Sequence, residues 1–301
     1  MLKSFLSYVE ITTKITSIFA FLMTIAFLFY RSQPINWKLT LIFFAAMFLF
    51  DLTTTAINNY VDTKTNAQKL QFKRSLALMI LLALLAASTL LGLYLVYLTD
   101  IAVLLLGGLC FLCGIFYTYG PAPISRQPWG EILSGIFYGF FIPFILLYIN
   151  MPEGTYLNFD WNLQTVSITL QIFPIFTAVM LSVIPVCVTA NIMLANNICD
   201  LDHDVLVKRY TLPYYLGTGK ALYLFAGLYY SCYLAVAAMT VLRILPPLCL
   251  AFLITLVPVQ RNIRVFFRKQ DKQTTFIMSI KNYVIIMGTI TLLIFLSGLI
   301  F

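Results

Sequence analysis

Long apolar stretches, separated by short polar segments, run along the whole of this chain. A helix that crosses a bilayer needs about 20 consecutive and mostly apolar residues. The pattern therefore predicts an all-α integral membrane protein with nine transmembrane helices, and we expect these helices to surround a central chamber. The predicted helices span residues 13–30, 38–59, 75–98, 101–118, 132–149, 166–190, 221–242, 245–259 and 283–301.

The composition of the chain agrees with a membrane location. Hydrophobic residues make up 61% of it and charged residues 10%, whereas a soluble domain averages about 45–50% apolar and about 25% charged residues. Segments of alternating polarity, which would indicate a membrane barrel, are missing from the pattern. Because no polar linker divides the chain, we expect residues 1–301 to form a single membrane-embedded domain. The first apolar stretch lacks a small-residue cleavage site, so it is predicted to be a retained helix and not a signal peptide.

The positive charges are distributed unevenly across the predicted membrane. With the N-terminus inside and nine alternating helices, only Arg31, Lys38 and Arg243 of the 19 Lys and Arg residues lie outside. Basic residues concentrate in cytoplasmic loops, so this bias supports both the number of helices and their orientation. We therefore expect a multi-pass protein of the cell membrane with a cytoplasmic N-terminus and a chamber that opens to the cytoplasm. The net charge of +8 then reflects topology and contact with membrane lipid, and nucleic acid is not an expected partner.

Two polar segments hold five of the 11 acidic residues. One ends predicted helix two, the other ends predicted helix six, and both emerge on the inner side. Carboxylates at membrane depth are costly and normally mark a site that binds ions or substrate. The five acidic residues are Asp51, Asp62, Asp200, Asp202 and Asp204.

The first segment aligns Asp51, Asn58 and Asp62 on one helical face, flanked by Thr54 and Thr55. For Asp62 the functional interpretation is the better one. Asp51 lies deepest, and a buried carboxylate bonded to threonine hydroxyls is an equally good structural interpretation of that residue.

The second segment places Asn197, Asp200 and Asp204 at i, i+3 and i+7, which is again one helical face. Oxygen ligands without thiolate favour Mg²⁺ over zinc or copper, and protein-bound Mg²⁺ commonly binds substrate phosphates. Lys208 and Arg209 follow within two turns and are suited to the remaining phosphate charge.

Two neighbouring residues of the second segment have simpler interpretations. Asp202 points away from the acidic face, so we expect it to cap a helix or face solvent. His203 is the only histidine of the chain. A bystander role is expected for it before a role as a catalytic base.

The first segment resembles the UbiA-type superfamily of intramembrane aromatic prenyltransferases. The family pattern N-D-x-x-D-x-x-x-D appears here as Asn58-Asn59-x-x-Asp62-x-x-x-Asn66. Asn replaces Asp at positions 59 and 66, so this half of the expected metal site is poor in acidic residues.

Two further runs carry the same resemblance. The family's D-x-x-x-D is intact as Asp200-x-x-x-Asp204, and residues 208–217 resemble G-K-R-T-L-A-x-x-L-G with Lys208 in place of the first Gly. Residues 117–139 resemble the Y-x-x-G-P-x-P-[IL]…G-E…G run of 1,4-dihydroxy-2-naphthoate polyprenyltransferases, which act in menaquinone synthesis.

The resemblance implies an Mg²⁺-dependent transfer of a polyprenyl group from polyprenyl diphosphate to 1,4-dihydroxy-2-naphthoate, with loss of CO₂ and diphosphate. It also implies roles for individual residues. The metal ligands would be Asn58, Asp62, Asp200 and Asp204. The diphosphate-binding residues would be Asn58, Lys208, Arg209, Arg126 and Lys14. Tyr117 and Tyr119 would line the aromatic chamber, and the catalytic carboxylates would be Asp62, Asp200, Asp204 and Asp51.

Alternatives stay open at this point. Within the enzyme class, the acceptor is alternatively 4-hydroxybenzoate or haem, and the absence of a second His disfavours haem. Outside that class, the acidic residues also fit a transporter, although their position at helix ends beside Lys and Arg favours an anionic phosphate ligand. A non-catalytic protein that binds quinone or prenyl lipid would explain the Asn residues at positions 59 and 66.

Overall fold

A computed structural model describes residues 1–63, 69–121, 123–162 and 164–300. In these residues, nine helical stretches are long and apolar enough to cross a bilayer, which confirms the predicted class. Asn66 of the first motif lies outside the described residues. The nine stretches are Ile11–Tyr30, Trp37–Asp62, Arg74–Leu98, Ile101–Thr118, Gly130–Asn150, Ile172–Cys199, Thr218–Val241, Pro247–Arg268 and Ile277–Ile300.

Most stretches are single α-helices, but some combine several elements. A short helix α1 (Leu2–Tyr8), which the hydropathy pattern did not predict, precedes the first span. A 3₁₀ segment begins both the first and the eighth spans, and a π-helical turn, Phe137–Phe141, interrupts the fifth. The remaining helices are α2 (Ile15–Tyr30), α3 (Trp37–Asp62), α4 (Arg74–Leu98), α5 (Ile101–Thr118), α6 (Gly130–Ile136), α7 (Ile142–Asn150), α8 (Ile172–Cys199), α9 (Leu201–Leu206), α10 (Leu212–Leu216), α11 (Thr218–Val241), α12 (Leu256–Arg268) and α13 (Ile277–Ile300).

A β-hairpin replaces the predicted start of the sixth helix, so the prediction of a helix from residue 166 was wrong. Strands β1 (Leu157–Trp161) and β2 (Val166–Leu170) pair in antiparallel register, with Leu157 opposite Leu170. The side chain of Asn162 accepts hydrogen bonds from the backbone N–H groups of residues 164 and 165, at 2.9 and 2.8 Å, and stabilises the turn. The β-branched residues of β2 favour a pleated strand over a helix.

Three further helix ends differ from their predicted positions by six residues or more, and the remaining ends differ by three or fewer. Helix α8 continues to Cys199, well beyond the predicted residue 190, so the second polar segment begins inside a helix. The eighth span extends to Arg268 instead of residue 259, because α12 continues with its basic residues on the exposed face and Val259 and Phe266 buried. Helix α13 begins at Ile277, six residues before the predicted start.

The described residues form two compact units, and the prediction of a single domain stays a prediction. The first unit consists of Met1–Ile18 and Asn36–Ser125. Its core is built around Tyr8, whose hydroxyl donates to the carbonyl oxygens of Ala56, at 3.1 Å, and Ala77, at 3.3 Å. These bonds hold α1 against α3 and α4.

The second unit consists of Phe19–Ile35 and Arg126–Phe301. In it, the π-helical turn crosses α8 so closely that a Cβ added to Gly139 would lie 2.2 Å from the backbone nitrogen of Val186. Gly135, one turn earlier, approaches the same residue, with 2.8 Å between a Cβ added there and the Val186 oxygen. Only glycine permits this backbone approach, which positions α6 against the polar end of α8.

Candidate active site

The first polar segment ends α3 in the first unit. The side-chain oxygen of Asn58 accepts a hydrogen bond from the hydroxyl of Thr118, at the end of α5. Asn58 and Asp62 are both half-buried, whereas Asp51, about three turns earlier, is buried. The polar face predicted for Asp51, Asn58 and Asp62 therefore runs from the end of α3 into the interior of the first unit.

Asn59 has a structural explanation. Its side-chain amide donates to the backbone oxygen of Tyr8 at 2.8 Å and to Oε1 of Glu10 at 3.2 Å. Both partners are acceptors, so this position requires a donor. A carboxylate there would face a second carboxylate and a carbonyl oxygen, which explains why this chain has Asn at that position.

Lys14 and Asp51 form a buried ion pair within the first unit. The Lys14 ammonium lies 2.8 Å from Oδ1 of Asp51, and the two side chains are only 2% and 5% exposed. It also donates to Oγ1 of Thr55 at 2.5 Å, while the hydroxyl of Ser17 donates to Oδ2 of Asp51 at 2.6 Å. Lys14 and Asp51 thus bind each other, whereas the structural interpretation of Asp51 expected threonine hydroxyls as partners of its carboxylate. Their suggested roles in catalysis and diphosphate binding stay predictions.

The two predicted chamber tyrosines lie at the end of α5, also in the first unit. Tyr117 is half-buried within the helix, and Tyr119 follows it with 61% of its surface exposed. Thr118 between them is buried and holds Asn58. The motif around residue 117 therefore connects α5 to the first polar segment.

A break in the helix divides the second polar segment, whereas the predicted i, i+3, i+7 face assumed one continuous helix. Helix α8 ends at Cys199, and Asp200 leaves the helical conformation before α9 begins. The N–H of Asp204 still donates to the oxygen of Asp200 at 2.8 Å, so the two acidic residues stay one turn apart. Asn197 and Asp204 are buried, whereas Asp200 is half-exposed.

Cationic side chains lie next to both acidic residues. Arg209 Nη1 is 3.8 Å from Oδ1 of Asp204. Lys272, from the connection between α12 and α13, lies 2.5 Å from Oδ2 of Asp200. Arg126 joins the same region through its backbone oxygen, which accepts from the N–H of Tyr210 at 3.1 Å. Lys272 did not stand out in the sequence, because it lies about 70 residues away from Asp200.

Glu131 is a second residue that the sequence analysis did not assign to the site. It is 2% exposed, and its Oε1 accepts from the side-chain amide of Asn197 at 2.8 Å. The only sequence signal for it was its place in the G-E…G run. That run now has a structural basis, since Gly139 permits the helix crossing and Glu131 binds the end of α8.

Burial shapes the electrostatics of this segment. It raises the pKa of Asp204, an effect that the nearby positive charge of Arg209 opposes. On and around this segment, four buried side-chain oxygens find no hydrogen-bond partner among the described residues, and unpaired buried oxygens are costly. They are Oε2 of Glu131, Oδ1 of Asn197, Oδ2 of Asp204 and Oγ1 of Thr211.

Three of these oxygens, from Glu131, Asn197 and Asp204, are of the chemical type that suits a hard cation or its bound water, because carboxylate and amide oxygens are the ligands that Mg²⁺ prefers. Across residues 1–63, 69–121, 123–162 and 164–300, no three His, Cys, Asp or Glu side chains are grouped closely enough to hold a metal ion. A cation here would therefore keep several waters or bind ligand oxygens. Asp202 and His203 are both exposed.

Residues 18–287 match the UbiA prenyltransferase family. The chain belongs to this family. The match covers all nine spans in whole or in part and both polar segments, so the resemblance seen in the motifs is confirmed.

Individual relatives are similar over most of their length. The 1,4-dihydroxy-2-naphthoate octaprenyltransferase of Bacillus subtilis (strain 168) is 27% identical over 240 residues, which cover 74% of this chain and 71% of the relative. An apo UbiA homologue from Aeropyrum pernix K1 has the same fold, with a TM-score of 0.67, 15% identity and coverage of 93% and 97% of the two chains. A UbiA homologue from Archaeoglobus fulgidus, bound to GPP and Mg²⁺, has a TM-score of 0.63, 12% identity and coverage of 99% and 98%.

One departure from the UbiA-type pattern acquires a physical meaning in this fold. Lys208 replaces the Gly that opens the family's G-K-R-T run, and its φ of 55° lies in the left-handed region that favours glycine. At this residue α9 has ended, and the N–H of Arg209 donates back to the oxygen of Asp204 at 2.8 Å. The backbone therefore follows the glycine conformation, while a basic side chain is exposed at the end of the acidic turn.

Proposed function

We propose that this UbiA-family protein transfers a polyprenyl group from a polyprenyl diphosphate to 1,4-dihydroxy-2-naphthoate, with release of CO₂ and diphosphate. The observation that carries the proposal is the arrangement of the second segment. There, Asp200 and the buried Asp204 lie one turn apart, and Lys272 and Arg209 accompany them. The chemistry of the relatives supports the donor and the metal, since the Archaeoglobus homologue binds GPP with Mg²⁺.

The mixture of acidic and basic groups suits a diphosphate that arrives with a metal ion. Carboxylates alone would repel the phosphate oxygens, and cations alone would bind phosphate without a metal. Asp200 and Asp204 would hold the ion, and Arg209 and Lys208 would bind phosphate oxygens through charge-assisted hydrogen bonds. When bound, Mg²⁺ would act as a Lewis acid on the diphosphate.

The first segment and the chamber tyrosines enter the proposal on sequence grounds. Asn58 and Asp62 match the metal-binding positions of the family pattern, Tyr117 matches the Tyr of the Y-x-x-G-P run, and Tyr119 lies at one of the variable positions of that run. Tyrosine faces attract cations, which suits residues that line the path of an allylic cation.

The reaction breaks the C–O bond between the prenyl group and the diphosphate. The protein's cations stabilise the charge that develops on the departing diphosphate. The electron-rich ring then forms a carbon–carbon bond with the allylic cation, and the naphthoate loses its carboxyl group as CO₂. Apolar surroundings keep water from quenching the cation.

A membrane assay tests this proposal. Membranes that contain the protein would receive geranylgeranyl diphosphate, Mg²⁺ and 1,4-dihydroxy-2-naphthoate, with the product read by mass spectrometry. We expect a prenylated, decarboxylated naphthoquinol that disappears with EDTA and falls at least about 100-fold in Asp200→Ala, because the variant removes a charged interaction of the transition state. Asp202→Ala is the matched control, since this exposed acidic residue of the same segment should leave turnover unchanged.

The same experiment identifies the aromatic acceptor. The similarity to the Bacillus subtilis enzyme favours the dihydroxynaphthoate. Turnover with 4-hydroxybenzoate in its place would retain the prenyltransferase and overturn the acceptor. A folded protein that binds prenyl lipid or quinone but shows no turnover with any aromatic acceptor would contradict the proposal.

We also propose that the N-terminus and both polar segments face the cytoplasm. The charge bias of the loops supports this orientation. A single cysteine placed at Lys3 in a cysteine-free variant should resist a membrane-impermeant thiol reagent in intact cells and react after lysis.

A further inference from the structure

The ammonium of Lys272 binds the carboxylate of Asp200, which the proposed metal ion would need as a ligand. This ammonium lies 2.5 Å from Oδ2 of Asp200 and also bonds to the side-chain oxygen of Asn196. The same ammonium lies 5.4 Å from the ring centre of Phe276. Asn196 and Asp200, at the end of α8, and Phe276, directly before α13, thus surround one positive charge.

The segment that carries Lys272 is ordered by its own hydrogen bonds. Oδ1 of Asp271 accepts from the N–H groups of Gln273 and Thr274, at 3.1 and 2.8 Å. The N–H of Asp271 donates to the buried hydroxyl of Thr275 at 2.9 Å. The hydrogen bonds from Thr274 lower the pKa of Asp271 to about 2, so the carboxylate that accepts them is ionised at physiological pH.

The position of Lys272 is nevertheless reversible. Its side chain is 45% exposed and that of Asp200 is 30% exposed, so water reaches the pair. Ion pairs that water reaches contribute little stability. A lysine ammonium on a flexible four-carbon stem can therefore exchange one anionic partner for another without disturbing the turn.

We propose that Lys272 is a mobile counter-ion of the site. Before substrate binds, it neutralises Asp200 and competes with a divalent cation for that carboxylate. When the metal-bound diphosphate arrives, the ammonium leaves Asp200 and binds a diphosphate oxygen. This inference rests on the proposed function, and it adds a third cation, from the connection between α12 and α13, to Lys208 and Arg209.

The proposal predicts that Lys272→Gln changes the affinities for Mn²⁺ and for geranyl diphosphate in opposite directions. Mn²⁺ binding without diphosphate, followed by electron paramagnetic resonance of the purified protein, should become about two- to fivefold tighter in Lys272→Gln, because the competing charge is gone. Binding of geranyl diphosphate in the presence of Mg²⁺, measured by calorimetry, should become about 10- to 100-fold weaker, because a charge-assisted hydrogen bond is lost.

Three further variants separate this role from a structural one. Lys272→Arg keeps the charge and should recover most of the geranyl diphosphate affinity. Lys269→Gln removes an equal charge from the same segment, and both affinities should stay at their wild-type values because Lys269 pairs with Asp271 and not with Asp200. Asp271→Ala breaks the turn but keeps the lysine, so it should reproduce both effects of Lys272→Gln in weaker form.

Each outcome decides the inference. Opposite shifts in Lys272→Gln, with recovery in Lys272→Arg, support it. Two shifts in the same direction, or none, overturn it, and a lower unfolding temperature without a change in either affinity would show that Lys272 only stabilises the fold. If the wild-type protein binds neither Mn²⁺ nor geranyl diphosphate, the proposed function fails and this inference fails with it, whereas the proposed function stands if only the variants behave unexpectedly.

Discussion

Replacement of Lys14 by methionine should strongly destabilise this protein. The substitution keeps the long apolar stem and removes the ammonium that faces the buried carboxylate of Asp51 at 2.8 Å. The backbone oxygen of Asp51 still accepts from the hydroxyl of Thr54 at 3.0 Å, and its Oδ2 still accepts from Ser17. The loss is therefore mainly that of the counter-charge.

The size of the effect follows from burial. The two side chains are 2% and 5% exposed, so solvent does not replace the missing charge. Removal of one partner of a buried ion pair typically costs about 3–5 kcal/mol. The unfolding equilibrium constant should thus rise by a factor between about 10² and 10⁴, since about 1.4 kcal/mol corresponds to a factor of ten.

Equilibrium unfolding in mixed micelles measures this change, with tryptophan fluorescence followed as the fraction of denaturing detergent rises. Lys38→Met is the matched control because Lys38 is exposed, and it should stay within about 0.5 kcal/mol of wild type. The double variant Lys14→Met/Asp51→Asn has no buried charge and should recover at least half of the loss. A Lys14→Met protein within about 1 kcal/mol of wild type, or a double variant less stable than the single one, would refute the assignment of this pair as a structural element.

Two further substitutions test the backbone of the second unit by the same unfolding measurement. Gly139→Ala should lower the free energy of unfolding by about 1–3 kcal/mol or more, because its Cβ would lie 2.2 Å from the Val186 nitrogen. Gly107→Ala is the control and should be neutral or stabilising, because nothing lies within 4 Å of its Cβ. Equal effects of the two substitutions would contradict the close crossing. Lys208→Gly should stabilise the protein by about 1 kcal/mol, because glycine adopts the φ of 55° without strain. The same variant should raise the KM for the prenyl diphosphate, and a KM that does not change would remove Lys208 from the proposed diphosphate site.

Much of the candidate site followed from local patterns. Asp200 and Asp204 attracted attention because acidic residues are rare in this chain, and their spacing of four residues keeps them one turn apart even though the helix breaks at Asp200. The spans were predictable for a similar reason, since each one needs only its own apolar residues to enter a bilayer. Their ends were less predictable, and β2 was mistaken for helix, because a short apolar run such as residues 166–170 has no decisive period.

Other features depended on contacts between distant parts of the chain. The Asn at position 59 looked like a lost metal ligand in the sequence, but it donates to Tyr8 and Glu10, about 50 residues away. Lys272 looked like one basic loop residue among several until its ammonium was found 2.5 Å from Asp200. Nothing in the sequence connected Glu131 with Asn197, whose side-chain amide donates to the Glu131 carboxylate in the folded protein.

Hydropathy and short motifs are properties of individual segments, so the membrane location of this protein and its resemblance to prenyltransferases could be predicted from the amino-acid order alone. Which charges pair became known only from the folded structure. Lys14 is committed to Asp51 inside the first unit, and Lys272 and Arg209 lie at the acidic turn of the second unit. The physical reason is that an ion pair depends on distance and burial, and neither is set until helices far apart in the sequence have packed together.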